Sequence, residues 1–105
     1  MRTSAPAFVA MSKFVVANGD ADAVKDAFRR RPGLVDREPG FLRLEVWCPL
    51  DLPDEIWLVT YWIDAAHFDR WHRSHRYHES HVGIPKGLKL VRGETLLRRF
   101  DRICT

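Results

Sequence analysis

The sequence predicts one α+β domain in which a four-stranded antiparallel sheet carries two helices, in the order β-α-β-β-α-β. Three observations support this fold class. The chain has 105 residues, which suffices for one core but not for two. Several stretches alternate between apolar and polar residues as strands do, and two others repeat at helical spacing. Residues 1–105 are therefore interpreted as a single domain, with 1–7 expected to form a flexible N-terminal extension.

The first predicted strand is the alternating stretch from Phe8 to Asn18. Asn18 falls on the same face as Phe14 and Val16. An amide at the end of an apolar row has two interpretations, and both stay open at this point. Asn18 is either a turn former, favoured by the Gly19 that follows, or a polar group that points into a pocket.

The first helix is predicted to begin after Asp20, which is typical of an N-cap residue. Its apolar face recurs at helical spacing. Pro32 is expected to kink or restart the helix because proline removes a backbone hydrogen bond. The turn at residues 38–40 ends it. The residues of the apolar face are Val24, Ala27, Phe28, Leu34 and Val35.

Two further strands are predicted at Phe41–Cys48 and Glu55–Trp62. The first alternates, with Leu42 and Leu44 on one face and Phe41, Arg43 and Trp47 on the other. The second is β-branched and aromatic and is apolar on both sides, as expected for a central strand covered on both faces. A hairpin between the two strands is the simplest pairing.

The second helix is predicted to start at Asp64 as its cap and to carry Phe68, Trp71 and His75 on one stripe. Glycines and a proline at residues 83–87 then predict a loop. The last strand is predicted from Leu88 to Cys104, with an interruption near Gly93 where the alternation slips.

This element order is the ferredoxin-like, or split βαβ, arrangement. Its helices cover only one face of the sheet. Because the strands carry apolar side chains on both faces, the second face needs a cover of its own. We therefore expect a homodimer in which two sheets pack face to face as an α+β barrel.

Residues 71–81, WHRSHRYHESH, hold four of the five histidines. In an unbroken helix Trp71 and His81 lie about 15 Å apart along the axis, so the two residues can flank only a large planar ligand such as a porphyrin. A histidine beside an aromatic cleft is the usual protein contribution to a haem site. A zinc or nickel stripe is less well supported because Glu79 is the single carboxylate in reach. A solvated helix in which Trp71 is a core residue is the third interpretation.

Several short motifs carry a resemblance to a known family. They are Asn18 in FVVANG, Trp71 in FDRWHRSH, His81 in YHESH, PGF at residues 39–41 and TYW at residues 60–62. In these motifs the sequence resembles the antibiotic-biosynthesis-monooxygenase-like group of dimeric α+β barrels. Within that group it is similar to the IsdG-type haem-degrading monooxygenases, from Phe8 to the last strand.

The resemblance implies a role for each of these residues. His81 would be the proximal iron ligand, with His78 as its main competitor, and would leave the opposite axial position open for dioxygen. Asn18 would donate a hydrogen bond on the distal side. Trp71 would press on the macrocycle, and Phe68 would line the same haem site. Haem would be both substrate and cofactor, opened to a linear tetrapyrrole with release of iron. No flavin or nicotinamide fingerprint is present in the sequence, so an external electron donor or reductase is expected.

Two alternative functions stay open. One is a cofactor-independent monooxygenase that acts on an aromatic polyketide or quinol substrate, and the other is a non-catalytic haem-binding dimer. The net charge of +3 comes from scattered residues, so no nucleic-acid partner is expected. No apolar stretch is long enough for a membrane span. Cys48 and Cys104 are expected to be reduced thiols in a cytoplasmic protein.

Overall fold

The computed structural model describes residues 7–30, 37–73 and 89–104. Their helices and strands are β1 (Phe8–Val15), α1 (Ala21–Arg29), β2 (Phe41–Trp47), β3 (Glu55–Trp62), α2 (Ala65–His72) and β4 (Leu96–Asp101). All strand pairs are antiparallel, and the sheet order is β2-β3-β1-β4. The apolar strands β1 and β3 therefore lie in the centre, and the predicted ferredoxin-like fold is confirmed.

The pairing register of β1 with β3 separates the two faces of the sheet. Residues that pair directly point to the same side. On the side that faces the helices, the pairs are Phe8 with Trp62, Ala10 with Thr60, Ser12 with Leu58 and Phe14 with Ile56. The side away from the helices, called the open face below, carries Val9, Met11, Lys13, Trp57, Val59 and Tyr61.

The buried core consists of two clusters on the helix-facing side. The α2 cluster lies where α2 packs on the sheet and comprises Phe8, Ala10, Trp62, Phe68 and Trp71. The α1 cluster lies under α1 at the other end of β1 and comprises Val16, Ala21, Val24 and Ile56. The middle of β1 therefore lies between the two clusters.

Three observed strands end earlier than predicted: β1 at Val15 and not at Asn18, β2 at Trp47 and not at Cys48, and β4 at Asp101 and not at Cys104. The last strand was predicted from Leu88, which is wrong, because β4 begins at Leu96. The interruption near Gly93 is confirmed, since this glycine has a φ of 82° and forms a turn, and Leu90 before it makes only an isolated bridge to Val16. A bulge after Phe41 also places that ring against Trp62, at 5.4 Å between ring centroids, and not on the face of Arg43.

The two helix starts differ in their capping. Asp64 is confirmed as the N-cap of α2, because its carboxylate accepts the backbone N–H of His67 at 2.9 Å. Asp20 occupies the N-cap position of α1, but its side chain caps no N–H among the described residues. Within those residues, neither helix is long and apolar enough to cross a membrane. The predictions for Pro32, for the loop at 83–87 and for residues 1–6 of the extension lie outside the described residues.

Gly40 lets the start of β2 approach α2 closely. Its φ of 82° lies in the left-handed region, and a Cβ built on it would be 2.6 Å from the Cβ and 2.7 Å from the Cδ2 of His67. Its carbonyl accepts the backbone N–H of Ile63 at 2.9 Å. Both the backbone conformation and the contact with His67 therefore require glycine.

We predict that Gly40→Ala lowers the free energy of unfolding by clearly more than Gly93→Ala. Both glycines have a φ of 82°, but a Cβ at Gly93 meets nothing within 4 Å. Gly93→Ala should cost only the left-handed backbone penalty of about 1–2 kcal/mol, whereas Gly40→Ala adds the overlap with His67. Urea unfolding of both variants measures the difference, and equal losses would contradict the proposed role of the His67 contact.

Candidate functional site

Four aromatic rings meet in the α2 cluster. Phe68 and Trp71 are three residues apart on α2 and so point the same way, towards the paired residues Phe8 and Trp62. The ring centroids of Trp62 lie 5.6 Å from Trp71 and 5.7 Å from Phe68, and Phe8 lies 5.6 Å from Phe68. These separations are typical of packed aromatic pairs. The result is an extended aromatic surface between α2 and the centre of the sheet.

Trp71 belongs to this packed surface. It is 8% exposed, so most of its indole is already covered by protein, and Phe68 is 3% exposed. His72 follows on the helix and stacks on Phe68, with ring centroids 5.2 Å apart and planes inclined by 21°. The start of the histidine-rich stretch therefore contributes to the core, in agreement with the core interpretation of Trp71.

Asn18 lies at the opposite end of β1 from the α2 cluster. It is exposed and sits in the turn before Gly19, whose φ is 76°. Ala10 is the last residue of β1 in the α2 cluster, and the six residue steps from there to Val16 span roughly 20 Å of extended chain. This placement favours Asn18 as a turn former. The structure does not bring it to the cluster that holds Trp71.

The predicted iron ligand His81 and its competitor His78 lie outside the described residues. Their assignment stays a prediction. Within residues 7–30, 37–73 and 89–104, no group of three or more metal-ligating side chains could hold a metal ion. Only His67 and His72 of the five histidines fall in this part of the chain, so this observation does not bear on the predicted ligands.

Ser12 is a candidate site residue that the sequence reasoning missed. It lies on the helix-facing side of β1 between the two clusters, where it pairs with Leu58 and with Leu97. Thr60 lies diagonally beside it, is buried, and donates its hydroxyl to the Ala10 carbonyl at 3.4 Å. The alternation of β1 carried the signal, because Ser12 interrupts an otherwise apolar row. A hydroxyl there can both donate and accept a hydrogen bond.

Polar contacts fix α2 above the sheet. Asp64 accepts the N–H of His67 and lies 2.6 Å from its ring Nδ1. The side-chain hydrogen bond with His67, followed by the backbone one, lowers the pKa of Asp64 below its usual range. Towards the other end of the helix, Arg99 of β4 donates to Asp69 at 2.7 Å. These contacts hold the aromatic residues of α2 in place.

We predict that the hydrogen bonds of Asp64 stabilise the fold at neutral pH and lose this effect in acid. A carboxylate with a lowered folded pKa contributes its stability above the unfolded value of about 3.9. That contribution disappears as the pH falls through the folded pKa. The melting temperature of Asp64→Ala should therefore lie below that of wild type at pH 6, and the gap should narrow below pH of about 4.

Thermal unfolding followed by circular dichroism from pH 6 down to a pH of about 2 measures the gap. Asp51→Ala, which removes an exposed carboxylate of the β2–β3 loop, is the control and should show a small gap at every pH. A gap for Asp64→Ala that is constant with pH would contradict the prediction.

A family model described as antibiotic biosynthesis monooxygenase matches residues 7–82. The match starts just before β1 and continues past the end of α2. It therefore covers both central strands, both helices and the histidine-rich stretch.

The fold is similar to that of several solved structures. One is the heme-degrader MhuD from Mycobacterium tuberculosis with two hemes bound in its active site, at 20% identity and a TM-score of 0.76, over 93% of this chain and 97% of MhuD. Another is SnoaB, a cofactor-independent oxygenase from Streptomyces nogalater, at 19% identity and a TM-score of 0.73, over 96% of this chain and 97% of SnoaB. At these identities the likeness shows the fold alone.

Proposed function

Because this chain belongs to the antibiotic biosynthesis monooxygenase family, whose members are monooxygenases, we propose that it is an oxygenase that degrades haem. In this proposal it opens the porphyrin with dioxygen and electrons from an external donor, and it releases iron and a linear tetrapyrrole. The observation that carries the proposal is the aromatic surface of the α2 cluster, from which α2 leads towards the histidine-rich stretch. The bound haems of MhuD, on the same fold, support the choice of ligand.

The rings of Phe68 and Trp71 would supply apolar area for a porphyrin plane. Both are packed in the core, at 3% and 8% exposure, so the ligand would have to displace part of this packing. The indole N–H of Trp62 is fully buried and has no hydrogen-bond partner among the described residues. Because an unsatisfied buried donor costs about 1–3 kcal/mol, an acceptor oxygen on a bound ligand would be favourable there.

Each residue would contribute through its own chemistry. His81 would ligate the iron through its imidazole and leave the opposite axial position free. Trp71 would pack against the plane of the ligand, which requires its covered indole to gain access to it. Asn18 was predicted to donate the distal hydrogen bond, but Ser12 lies closer to the α2 cluster and faces the helices. Ser12→Ala and Asn18→Ala variants separate these two assignments.

A cofactor-independent oxygenase is the second candidate. The observation in its favour is that Trp71 is 8% exposed, which leaves little of the indole for a ligand as large as haem. A smaller aromatic substrate, such as a polyketide or quinol, would need less space between the two clusters, where the hydroxyls of Ser12 and Thr60 could orient it. The fold of SnoaB supports this candidate in the same way that MhuD supports the first.

We predict that hemin binds the purified protein at low micromolar concentration and gives a shifted Soret band. His81→Ala should abolish the shift, because the imidazole would be the axial ligand. His78→Ala is the matched control and should keep it. Addition of ascorbate or a reductase under air should then bleach the Soret band and produce a bilin absorbance.

Each contrary result points to a different conclusion. Absence of hemin binding would rule out haem degradation and leave the cofactor-independent oxygenase. Loss of hemin binding in His78→Ala but not in His81→Ala would assign the iron ligand to His78 instead of His81. A Soret band that persists without a bilin product would leave the non-catalytic haem-binding dimer.

We also propose that the protein is a homodimer that pairs its open faces. Among the described residues, this face exposes Trp47, Leu96 and Phe100, at 47%, 37% and 40%. Monomeric proteins rarely leave such apolar area uncovered on one side of a sheet. The face also carries both signs of charge, for instance Arg98 and Glu45, so a second copy of the same face can complement it.

We predict that Phe100→Glu converts the dimer to a monomer, because it places an unpaired carboxylate in the apolar part of the proposed interface. Leu50→Glu is the control, since Leu50 lies in the β2–β3 loop and is fully exposed. Light scattering coupled to size exclusion measures the mass of both variants. A monomeric wild-type protein would refute the proposed assembly.

A further inference from the structure

A cavity lies between α1 and the end of β2, away from the α2 cluster. It has a volume of about 220 Å³. The residues that line it come from one helix and two strands: Lys25, Phe28, Arg29, Val46, Trp47, Cys48 and Ile56. We propose that this cavity binds a small aromatic carboxylate. The proposal is independent of haem and of the proposed reaction.

The cavity has a surplus of positive charge. Lys25 and Arg29 are one helical turn apart on α1 and so face the same side. Arg29 is paired with Asp26 at 2.6 Å, whereas Lys25 is half-buried and forms no ion pair with the described residues. A partly desolvated ammonium group gains from a counter-charge.

The negative charge near the cavity lies outside its lining. The carboxyl end of α1 contributes about half a negative charge, and Asp22 and Asp26 are exposed carboxylates of the same helix. Among the described residues, the lining itself carries Lys25 and Arg29 and no carboxylate, so an anionic group inside the cavity is favoured.

The remaining walls are apolar and aromatic. Ile56 is fully buried, and Phe28 and Val46 pack against it on the helix-facing side of the sheet. A cavity of about 220 Å³ is smaller than the roughly 300–1,000 Å³ typical of sites for drug-sized ligands. It therefore suits a single ring that packs on Phe28 and Val46, with a carboxylate directed at Lys25.

Cys48 provides a direct reporter of occupancy. Its thiol lines the cavity and lies 3.5 Å from the Pro49 carbonyl and 3.6 Å from that of Pro53. The other cysteine, Cys104, is exposed and belongs to the chain end. In a Cys104→Ser background, Cys48 is the single thiol, and a bound ligand should shield it from alkylation.

The test measures how fast iodoacetamide alkylates Cys48 in the Cys104→Ser protein, followed by intact mass. Benzoate at about four times its Kd should slow the reaction about fivefold, because only the free form reacts. Benzamide, which has the same ring without the charge, should give little protection. Lys25→Gln should remove the protection by benzoate, whereas Lys89→Gln, at an exposed lysine outside the cavity, should retain it.

The same series contains the results that would overturn the proposal. Equal protection by benzamide would refute the role of charge, and equal protection by acetate or inorganic phosphate would refute the aromatic part. An unchanged alkylation rate in benzoate, or unchanged protection in Lys25→Gln, would refute the site. As a second readout, benzoate should shift the NMR signals of the Val46 and Ile56 methyl groups, which belong to the apolar wall, and signals that do not move would also count against binding.

Discussion

The pairing of β1 with β3 is the constraint on which the rest of the structure depends. Its register places Phe8 opposite Trp62, and Phe68 and Trp71 of α2 pack on that pair. A slip by one residue would turn every side chain of β1 to the other face. The aromatic surface, the hydroxyls between the clusters and the open face would all be lost together. Such a slip would turn Phe8 and Ala10 out of the core and bring Lys13 towards it, which makes the register costly to leave.

The sequence predicted an element well where its local pattern of residues is compatible with only one kind of structure. The limits of β3 follow from its unbroken β-branched and aromatic composition, and the cap of α2 follows from a carboxylate placed before a helical repeat. The predicted start of the last strand was wrong because alternation continues through the turn at Gly93, where pairing with β1 is interrupted between the Leu90 bridge and Leu96. The place where pairing begins is set by the left-handed turn at Gly93 and by the position of the neighbouring strand. Both depend on tertiary structure.

The candidate site was harder to predict because one side chain can serve two purposes. Trp71 recurs at core spacing and also matches a family motif, and helical periodicity is the same in both cases. Asn18 was placed by extending the alternation of β1 past the end of its ladder. The register of β1 shows that Ser12, six residues earlier, lies nearer to the aromatic surface than Asn18 does. A one-dimensional pattern does not contain that distance.

Several polar side chains of the open face are already paired with one another within the chain. Tyr61 donates its hydroxyl to Glu45 at 2.8 Å, and the guanidinium of Arg43 lies 4.1 Å above its ring. Burial, and then the hydrogen bond with Glu45, raise the pKa of Tyr61, so the phenol stays a donor at neutral pH. Because these groups already satisfy one another within the chain, covering them with a second copy leaves few of them unpaired. The desolvation cost of pairing two open faces is then set mainly by the unpaired charges, and the exposed rings of Trp47 and Phe100 can offset it.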